Sequence, residues 1–324
     1  MNIGIDIGYS HTKAVSGERR AYLASVTGSP EAGRFSLNGA SGDVLLLEPR
    51  HVLVGDGAVL QSRFADRAED RGWFRRDVYA DLFLAALTEV TEATAVDVVL
   101  VTGLPVAYYD DREALAERLA GEHLVHRAKR RAQRFTVRAV RVIPQPFGAL
   151  LAVALNERGM VVDAELASGT VGVIDVGGKT TNLLSVRRMA EIGRETASVP
   201  AGLWDVARAV GRYLDDAAPG LHLRDHEIMA AVQARRVTYF DQVLDLGEVV
   251  EDALARLGAQ VIDQATQLWN GGGRLQAILV AGGGAHLLGE RVRGHFRHAR
   301  ISADPVYANA CGYWKLAQRV ASHG

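Results

Sequence analysis

The segment GVIDVGGKTTN at residues 172–182 decides how the rest of this sequence is interpreted. Its apolar residues predict a buried strand that ends near Asp175, then a turn at Gly177 and Gly178, then a second strand. Glycines let backbone N–H groups approach a phosphate because no Cβ stands in the way, and an aspartate at a strand end can hold Mg²⁺. An ordinary hairpin turn has a similar composition, so this segment alone does not separate the two interpretations.

The segment GIDIGYSHTK at residues 4–13 repeats the same plan. An apolar strand leads to Asp6 and Gly8, and Ser10, Thr12 and Lys13 follow before a second strand begins. Two copies of this pattern about half the chain apart indicate nucleotide binding more specifically than either loop alone. They predict two similar domains that face each other across one nucleotide.

Composition excludes several classes of protein. The chain has 324 residues, 48% of them hydrophobic, which is enough for two domains that each bury a core. A formal net charge of −1 argues against a protein that coats DNA or an anionic membrane. Two of the four lysines, Lys13 and Lys179, lie in the glycine loops, which indicates a site that needs a compact ammonium group, although chance placement in polar turns explains it equally well.

Cysteine usage and hydropathy indicate the cellular compartment in which the protein is expected. Cys311 is the only cysteine, so an intrachain disulfide and a zinc cluster of several thiolates are both excluded. No signal-peptide pattern precedes the first strand, and no apolar run reaches the length of about 18 residues that a bilayer requires. We therefore expect a soluble, cytoplasmic protein without a membrane partner.

Hydrophobic periodicity outlines the remaining elements. It predicts strands at 3–7, 11–16, 20–25, 96–105 and 277–281, two short strands within 44–58 hinged at 48–50, and helices at 76–94, 111–121, 201–216, 224–235, 247–269 and 305–320. A loop is expected at 27–40.

Residues 125–142 carry seven Lys and Arg residues between Arg127 and Arg141. A nucleic-acid patch is one interpretation. Apolar residues alternate through the segment as in a strand, so we favour a solvated charged face and expect no direct contact with nucleic acid.

Two further segments suggest binding chemistry. In VIPQPFGALLAV at residues 142–153, a strand and a proline turn lead into a helix near Phe147, with Gln145 at the corner. In AILVAGGGAHLLGE at residues 277–290, Gly282, Gly283 and Gly284 separate a buried strand from a helix. Three glycines there allow a flat ring or a phosphate to approach the helix N-terminus, and a flexible connection is the equal alternative.

Taken in order, these segments resemble the nucleotide-binding set of the actin, DnaK-type chaperone and sugar kinase superfamily. Residues 4–13 resemble its first phosphate loop, 142–153 its first connecting helix, 172–182 its second phosphate loop, and 277–290 its adenosine loop. The helix with Asn309, Ala310 and Gly312 resembles its second connecting helix. Within that superfamily, VTGLPVAYY at 101–109, VGDGA at 54–58 and ANACGYWK at 308–315 look most like bacterial actin-like proteins of the ParM/StbA plasmid-segregation type.

The resemblance implies an α/β actin-like fold with two RNase H-like domains and a nucleotide cleft between them. Domain I would comprise residues 1–150 plus 305–324, with a small strand-rich insertion at about 30–75, and domain II residues 151–304.

It also implies roles for individual residues. Asp6 and Asp175 would hold Mg²⁺, and together with Gln145, which would orient the attacking water, they form the expected catalytic set for slow ATP hydrolysis. ATP, or GTP in its place, would contact the following residues: Gly8, Tyr9, Ser10, Thr12, Lys13, Gly177, Gly178, Lys179, Thr180, Glu227, Gly282, Gly283 and Gly284.

The sequence departs from the ParM pattern at two positions of the second loop. Lys179 replaces a small or hydroxyl residue and either contacts a phosphate or points to solvent, and the sequence does not decide between them. Asn182 stands where an aspartate is common, which affects metal coordination or the hydrolysis rate. Glu227 is the one candidate for a ribose contact.

Three functions are compatible with this set. The first is a cytoskeletal ATPase that assembles with itself into nucleotide-dependent filaments and segregates plasmid DNA through a DNA-binding adaptor protein. The second is a small-molecule kinase, against which stands the lack of a convincing catalytic aspartate near a sugar site. The third is a non-polymerising ATPase adaptor of the pilus-assembly or reactivase type, which the sequence does not exclude.

Overall fold

A computed structural model describes residues 1–30, 45–48, 51–62, 65–66, 70–127 and 130–322. Its contacts divide the chain into two compact units, Met1–Ser168 with Val306–Gly324, and Gly169–Pro305. Residues 151–168, which the sequence analysis assigns to the second domain, have their contacts in the first unit. The predicted loop beyond residue 30, the hinge at 49–50, Lys129 and much of the predicted insertion lie outside the described residues.

The first unit contains a ten-stranded sheet. Its strands are β1 (Asn2–Ile7), β2 (His11–Ser16), β3 (Arg19–Ala24), β4 (Thr27–Gly28), β5 (Leu45–Glu48), β6 (Val52–Val54), β7 (Ala65–Asp66), β8 (Ala95–Leu104), β9 (Gly121–Arg127) and β10 (Gln133–Pro144). Their order is β3-β2-β1-β8-β10-β9-β5-β6-β4-β7. Strand β1 pairs antiparallel with β2 and parallel with β8, and β8 pairs parallel with β10.

The second unit contains a six-stranded sheet and a separate two-stranded hairpin. Its strands are β11 (Thr170–Val176), β12 (Thr181–Arg187), β13 (Ala190–Glu191), β14 (Ala197–Val199), β15 (Arg236–Tyr239), β16 (Gln242–Asp245), β17 (Ala277–Ala281) and β18 (Ala299–Ile301). Strand β11 pairs antiparallel with β12 and parallel with β17, which in turn pairs parallel with β18. The two units therefore share one topology around a central strand, β1 in the first and β11 in the second.

Helices cover these sheets. They are α1 (Asp56–Gln61), α2 (Asp77–Glu89), α3 (Arg112–Leu119), α4 (Phe147–Ala154), α5 (Ala164–Ser168), α6 (Leu203–Ala217), α7 (Asp225–Ala234), α8 (Gly247–Leu268), α9 (Ala285–His295) and α10 (Ala308–Ala321), with 3₁₀ turns at Arg71–Arg75, Val106–Asp111 and Gly193–Glu195. Among the residues described, no helix combines the length and the apolar character needed to cross a bilayer.

Glycines in the first unit allow α4 and α10 to pack closely against the sheet and against each other. A Cβ on Gly4 of β1 would lie 2.2 Å from the Ala310 carbonyl oxygen of α10. A Cβ on Gly312 of α10 would lie 1.8 Å from the Gly148 carbonyl oxygen of α4. The Asn309 side chain also accepts a hydrogen bond from the Ala149 amide at 3.1 Å. These contacts hold the two helices in one arrangement beneath the end of β1.

Most predicted elements are present. One helix is shorter than predicted, and one hairpin of the structure was not predicted. The helix expected at 76–94 ends at Glu89, and Gln133 on β10 donates hydrogen bonds to the carbonyl oxygens of Thr91 and Ala93 in the segment that follows, both at 3.0 Å. The hairpin of β15 and β16 was not expected, since each strand has only four residues and the adjacent Val243 and Leu244 break the alternation in β16.

The basic segment forms part of β9 and β10. Arg130, Arg131, Arg134, Arg138 and Arg141 are exposed, as expected for a solvated charged face. Arg127 differs because it is buried and forms an ion pair with Glu89 of α2.

Candidate functional site

The first glycine loop connects β1 to β2 through a tight turn. The Gly8 amide donates a hydrogen bond to the His11 carbonyl oxygen at 3.1 Å, which closes the turn. Asp6 lies next to the end of β1 and is 3% exposed. A carboxylate is rarely buried unless it is paired, so its partners indicate its role.

Two side chains hold the Asp6 carboxylate. Lys13, directly opposite Asp6 in the antiparallel register, approaches Oδ2 with its Nζ at 3.5 Å. The Gln145 side chain donates from Nε2 to Oδ1 at 2.5 Å. The structure therefore brings together three predicted residues that are separated by up to 139 positions in the sequence.

Backbone hydrogen bonds fix Gln145 at the corner between β10 and α4. Its amide donates to the Leu104 carbonyl oxygen at 2.7 Å, and the Tyr313 hydroxyl donates to its carbonyl oxygen at 2.8 Å. Gly103 makes room for this, since a Cβ there would lie 2.1 Å from the Tyr313 hydroxyl oxygen. Sequence reasoning missed Tyr313, which lies on a distant helix.

The other predicted residues of the first loop have separate surroundings. The Ser10 hydroxyl lies 2.9 Å from Nδ1 of His11. The Thr12 hydroxyl is buried, 3.0 Å from the Ser25 hydroxyl. The Tyr9 ring is buried and stacks on Trp73 with a centroid distance of 5.2 Å. Trp73 in turn meets Tyr79 edge to face, and burial raises the pKa of Tyr79, so this phenol stays protonated at neutral pH.

The second glycine loop repeats the geometry of the first. The Gly177 amide donates to the Thr180 carbonyl oxygen at 2.9 Å, and Asp175 next to the end of β11 is 5% exposed. Asn182 lies directly opposite Asp175 in the antiparallel register, where Lys13 lies opposite Asp6. Asn182 is buried and its Oδ1 accepts a hydrogen bond from the Ser198 hydroxyl at 2.6 Å.

The N-terminus of helix α6 donates hydrogen bonds to the second loop. The amides of Leu203 and Trp204 donate to the carbonyl oxygens of Gly177 and Gly178 at 3.1 and 2.8 Å. A Cβ on Gly202 would lie 2.4 Å from the Gly178 carbonyl oxygen, so only glycine fits there. These bonds use the loop carbonyls. Lys179 and Thr180 at the turn are partly exposed.

The triple glycine packs directly against Asp175. Gly282 has a φ of +86°, and a Cβ on it would lie 2.4 Å from Oδ1 of Asp175. The Gly284 amide donates to the Val176 carbonyl oxygen at 2.9 Å, and Gly283 is exposed with open space around its Cα. The second unit thus gathers the buried carboxylate, the loop and the N-terminus of α9 at one sheet edge.

Glu227 stands apart from these contacts. It is exposed in the first turn of α7, where its Oε2 accepts a hydrogen bond from the Arg224 amide at 2.7 Å. This is the N-terminal capping arrangement, so in this structure Glu227 stabilises its own helix.

Each unit therefore contains one group of candidate residues, which we call a half-site. The first half-site comprises Asp6, Lys13, Gln145 and the loop Gly8–His11. The second half-site comprises Asp175, the loop Gly177–Thr180 and the triple glycine at 282–284. Within the described part of the chain, no cluster of three or more His, Cys, Asp or Glu side chains has the arrangement of a metal site, and each half-site contributes one buried carboxylate.

Family models match both halves of the chain. Residues 4–148 match the N-terminal domain of actin-like proteins, and residues 173–294 match the C-terminal domain of the archaeal actin homologue of MreB type. Both domains of this chain belong to the actin-like family. No curated protein sequence matches this actin-like chain.

Solved structures of low sequence identity share its fold. The archaeal actin homologue Ta0583 is 22% identical with a TM-score of 0.83, covering 98% of this chain and 100% of that one. A ParM chain from a 15-stranded filament of Clostridium botulinum is 19% identical with a TM-score of 0.82, over 98% and 100% of the two chains. Bacillus thuringiensis ParM with ATP is 13% identical with a TM-score of 0.73, over 100% and 99%. The predicted actin-like fold is confirmed.

Proposed function

We propose that this actin-like protein is an ATPase that binds ATP with Mg²⁺ between its two half-sites and assembles with itself into nucleotide-dependent filaments. The observation that carries the proposal is the duplicated hairpin, with a buried aspartate at the same strand position in each unit and a glycine turn closed by the same backbone hydrogen bond.

In the first half-site, Lys13 would neutralise phosphate charge beside Asp6. A lysine with a mobile stem can leave a carboxylate at 3.5 Å for a phosphate oxygen at little cost, since the ion pair is long. The loop Gly8–His11 presents Ser10, whose hydroxyl can donate to the same phosphates.

In the second half-site, Gly177, Gly178, Lys179 and Thr180 would surround the terminal phosphates, and the triple glycine would lie against the adenosine. The support is steric, because side chains at 282 and 284 would collide with Asp175 and Val176, so the backbone there stays close to the strand end. Space remains beside Gly283 for a flat ring.

The residues fit Mg²⁺ without forming an all-protein cage. Mg²⁺ usually keeps several waters and takes one or two carboxylates together with substrate phosphates, and Asp6 and Asp175 are two such carboxylates at strand ends. When bound, the ion would neutralise phosphate charge. Gly282 supports this fit, because its missing Cβ leaves room beside Oδ1 of Asp175.

Gln145 would position the attacking water. Its Nε2 donates to Asp6, so its Oε1 is the side-chain atom that can accept a hydrogen bond from water. A neutral amide orients water without removing a proton, which fits slow hydrolysis in which charge stabilisation provides most of the rate enhancement.

Self-assembly is supported by the ParM filament among the similar structures. We extend the proposal to plasmid DNA segregation in the cytoplasm, through a DNA-binding adaptor and without direct contact with nucleic acid. The near-neutral charge of the chain supports the last point.

Light scattering and pelleting with ATP–Mg²⁺, with ADP and without nucleotide test the proposal, with phosphate release followed in the same samples. We expect scattering to rise with ATP above a critical concentration. Phosphate release without sedimentable polymer would replace the filament by a non-polymerising ATPase, and the absence of both would overturn the proposal. Repeating the assay with GTP defines the nucleotide preference.

A further inference from the structure

The hairpin of β15 and β16 carries the most exposed large apolar side chain among the residues that the structure describes. Phe240 at its tip is 85% exposed, and Val243 on the following strand is 65% exposed. We call Phe240, Asp241 and Val243 the hairpin tip. An exposed aromatic next to a second exposed apolar residue is typical of a surface that binds another protein.

The hairpin itself is firmly anchored. The Tyr239 hydroxyl donates to the Pro219 carbonyl oxygen at 2.5 Å, and the Leu246 amide donates to the Arg235 carbonyl oxygen at 2.9 Å. Val237 and Leu244 pack against the core of the second unit. The tip is therefore presented on a rigid support, which lowers the entropic cost of binding a partner.

Phe240 also adopts an unfavourable backbone conformation, with a φ of +54°. A bulky residue in the left-handed region is uncommon, and glycine or asparagine would fill this turn position with less strain. Its ring packs on one side against the Tyr239 ring, with a centroid distance of 4.5 Å, and most of the residue stays exposed. This observation points to a contact outside the chain.

A groove on the same unit has complementary chemistry. It has a volume of about 700 Å³ and lies among α6, α7 and α8. Ile228, Ala253 and Leu257 provide apolar surface, and Arg208, Arg212 and Arg256 are three of the charged side chains that line it. The ring of a Phe240 side chain can pack against the apolar surface, and the neighbouring Asp241 carboxylate can form ion pairs with arginines. Asp205 and Asp215 also line the groove, and Asp205 already forms an ion pair with Arg208 at 2.5 Å, so Arg212 and Arg256 are the arginines proposed to meet Asp241.

We propose that the hairpin tip of one copy inserts into the α6–α7–α8 groove of a second copy. Phe240 is exposed, so it does not occupy the groove of its own chain. A tip and a groove are different surfaces, so one tip in one groove is a head-to-tail contact. Such contacts generate an open filament unless two copies exchange tips reciprocally or the rotation closes a ring. This inference rests on the proposed self-assembly and names the surfaces that carry it.

Substitution at the tip is the first test, measured as the critical concentration for pelleting with ATP–Mg²⁺. Phe240→Ala should raise it at least tenfold, whereas Leu124→Ala, at a 63% exposed site on the first unit, should leave it unchanged. Phe240→Gly should weaken assembly equally while its thermal midpoint is no lower than that of Phe240→Ala, because glycine tolerates the left-handed conformation. This pair of variants separates lost contact from lost folding.

Charge exchange tests the groove. Asp241→Arg and Arg256→Asp should each raise the critical concentration, and the double variant should restore assembly. Cross-linking tests the direction of the contact: Gln242→Cys beside the tip and Gln260→Cys beside the groove should give maleimide-linked dimers with ATP when the two chains are mixed. Both substitutions are made in a Cys311→Ala chain, so only the introduced thiols can be linked.

The outcomes separate this inference from the proposed function. If the unchanged chain assembles and Phe240→Ala assembles equally well, the tip is not the contact, although the filament remains. Dimers from the Gln242→Cys chain alone would mean that tips meet each other and would overturn the groove assignment. If the unchanged chain binds ATP and never assembles, both the filament and this contact are overturned.

Discussion

Two buried aspartates occupy equivalent strand positions and have different partners. Asp6 faces Lys13 across the hairpin and is held by Gln145, whereas Asp175 faces Asn182, which is held by Ser198. The first half-site therefore includes a cation at the position where the second has a neutral amide. This difference supports the proposed role of Lys13 in neutralising phosphate charge.

Asp175→Ala should abolish metal-dependent nucleotide binding and lower the rate of ATP hydrolysis by about 10²-fold or more, because it removes a charge aimed at the site. Binding of fluorescent ATP with and without Mg²⁺ and phosphate release measure the two effects. Asp263→Ala, at an exposed position on α8, is the matched control. Near-normal turnover in the Asp175 variant would remove the second loop from the site.

Gln145→Ala should slow phosphate release by about 10²-fold while nucleotide affinity stays near that of the unchanged chain, since a water-positioning amide acts mainly in the transition state. Filaments, once formed, should persist longer after ATP is exhausted. Equilibrium binding and single-turnover hydrolysis measured on the same preparation separate these effects. An unchanged rate would exclude Gln145 from the mechanism and leave it as a structural partner of Asp6.

At the scale of elements, the crossing of α4 and α10 connects the fold to the site. Gln145 directly precedes α4, and Tyr313 of α10 holds its carbonyl oxygen. The close approach at Gly148 and Gly312 brings Tyr313 within reach of Gln145, so the position of the Gln145 amide depends on the packing of two helices.

Gly312→Ala should destabilise the first unit by about 3 kcal/mol, because the new Cβ would meet backbone that cannot move aside easily. Chemical denaturation measures this loss. Gly294→Ala in α9 is the control, since nothing lies within 4 Å of its added Cβ and alanine is favoured over glycine in helices by about 0.5–1 kcal/mol. Equal stabilities of the two variants would contradict the tight crossing.

At the scale of the whole molecule, one nucleotide that contacts both half-sites would link the stabilities of the two units. A ligand at 100 times its dissociation constant stabilises the folded state by about 2.7 kcal/mol. For a chain of 324 residues that unfolds in one transition, that corresponds to a rise in the thermal midpoint of about 4 °C.

We therefore expect ATP–Mg²⁺ to raise the melting temperature and to merge the transitions of the two units, and removal of Mg²⁺ with EDTA to reverse both effects. Differential scanning calorimetry at a protein concentration below the assembly threshold measures this without a contribution from filaments. If ATP–Mg²⁺ raised the melting temperature of the Asp6→Ala and Asp175→Ala variants as much as that of the unchanged chain, the nucleotide would bind elsewhere.

Local sequence patterns determine much of this protein. The meander at the N-terminus, the strand around Val173, the corner at Gln145 and the long helix α8 follow from runs of apolar residues and from glycines and prolines that end them. The two aspartate hairpins could be found because each is encoded within about ten consecutive residues. The actin-like fold was predicted from the resemblance of five segments, taken in order, to the actin, DnaK-type chaperone and sugar kinase superfamily.

Only the tertiary structure decided which distant groups meet. Helix α2 ends before the predicted residue, and Gln133 of β10 donates hydrogen bonds to carbonyl oxygens of the segment that follows it. The support of Gln145 by Tyr313, the pairing of Asn182 with Ser198 and the exposed Phe240 tip were equally absent from the sequence interpretation. Periodicity reports which face of an element is apolar, whereas hydrogen-bond partners and exposure depend on how separate elements pack, and that information is not local in the chain.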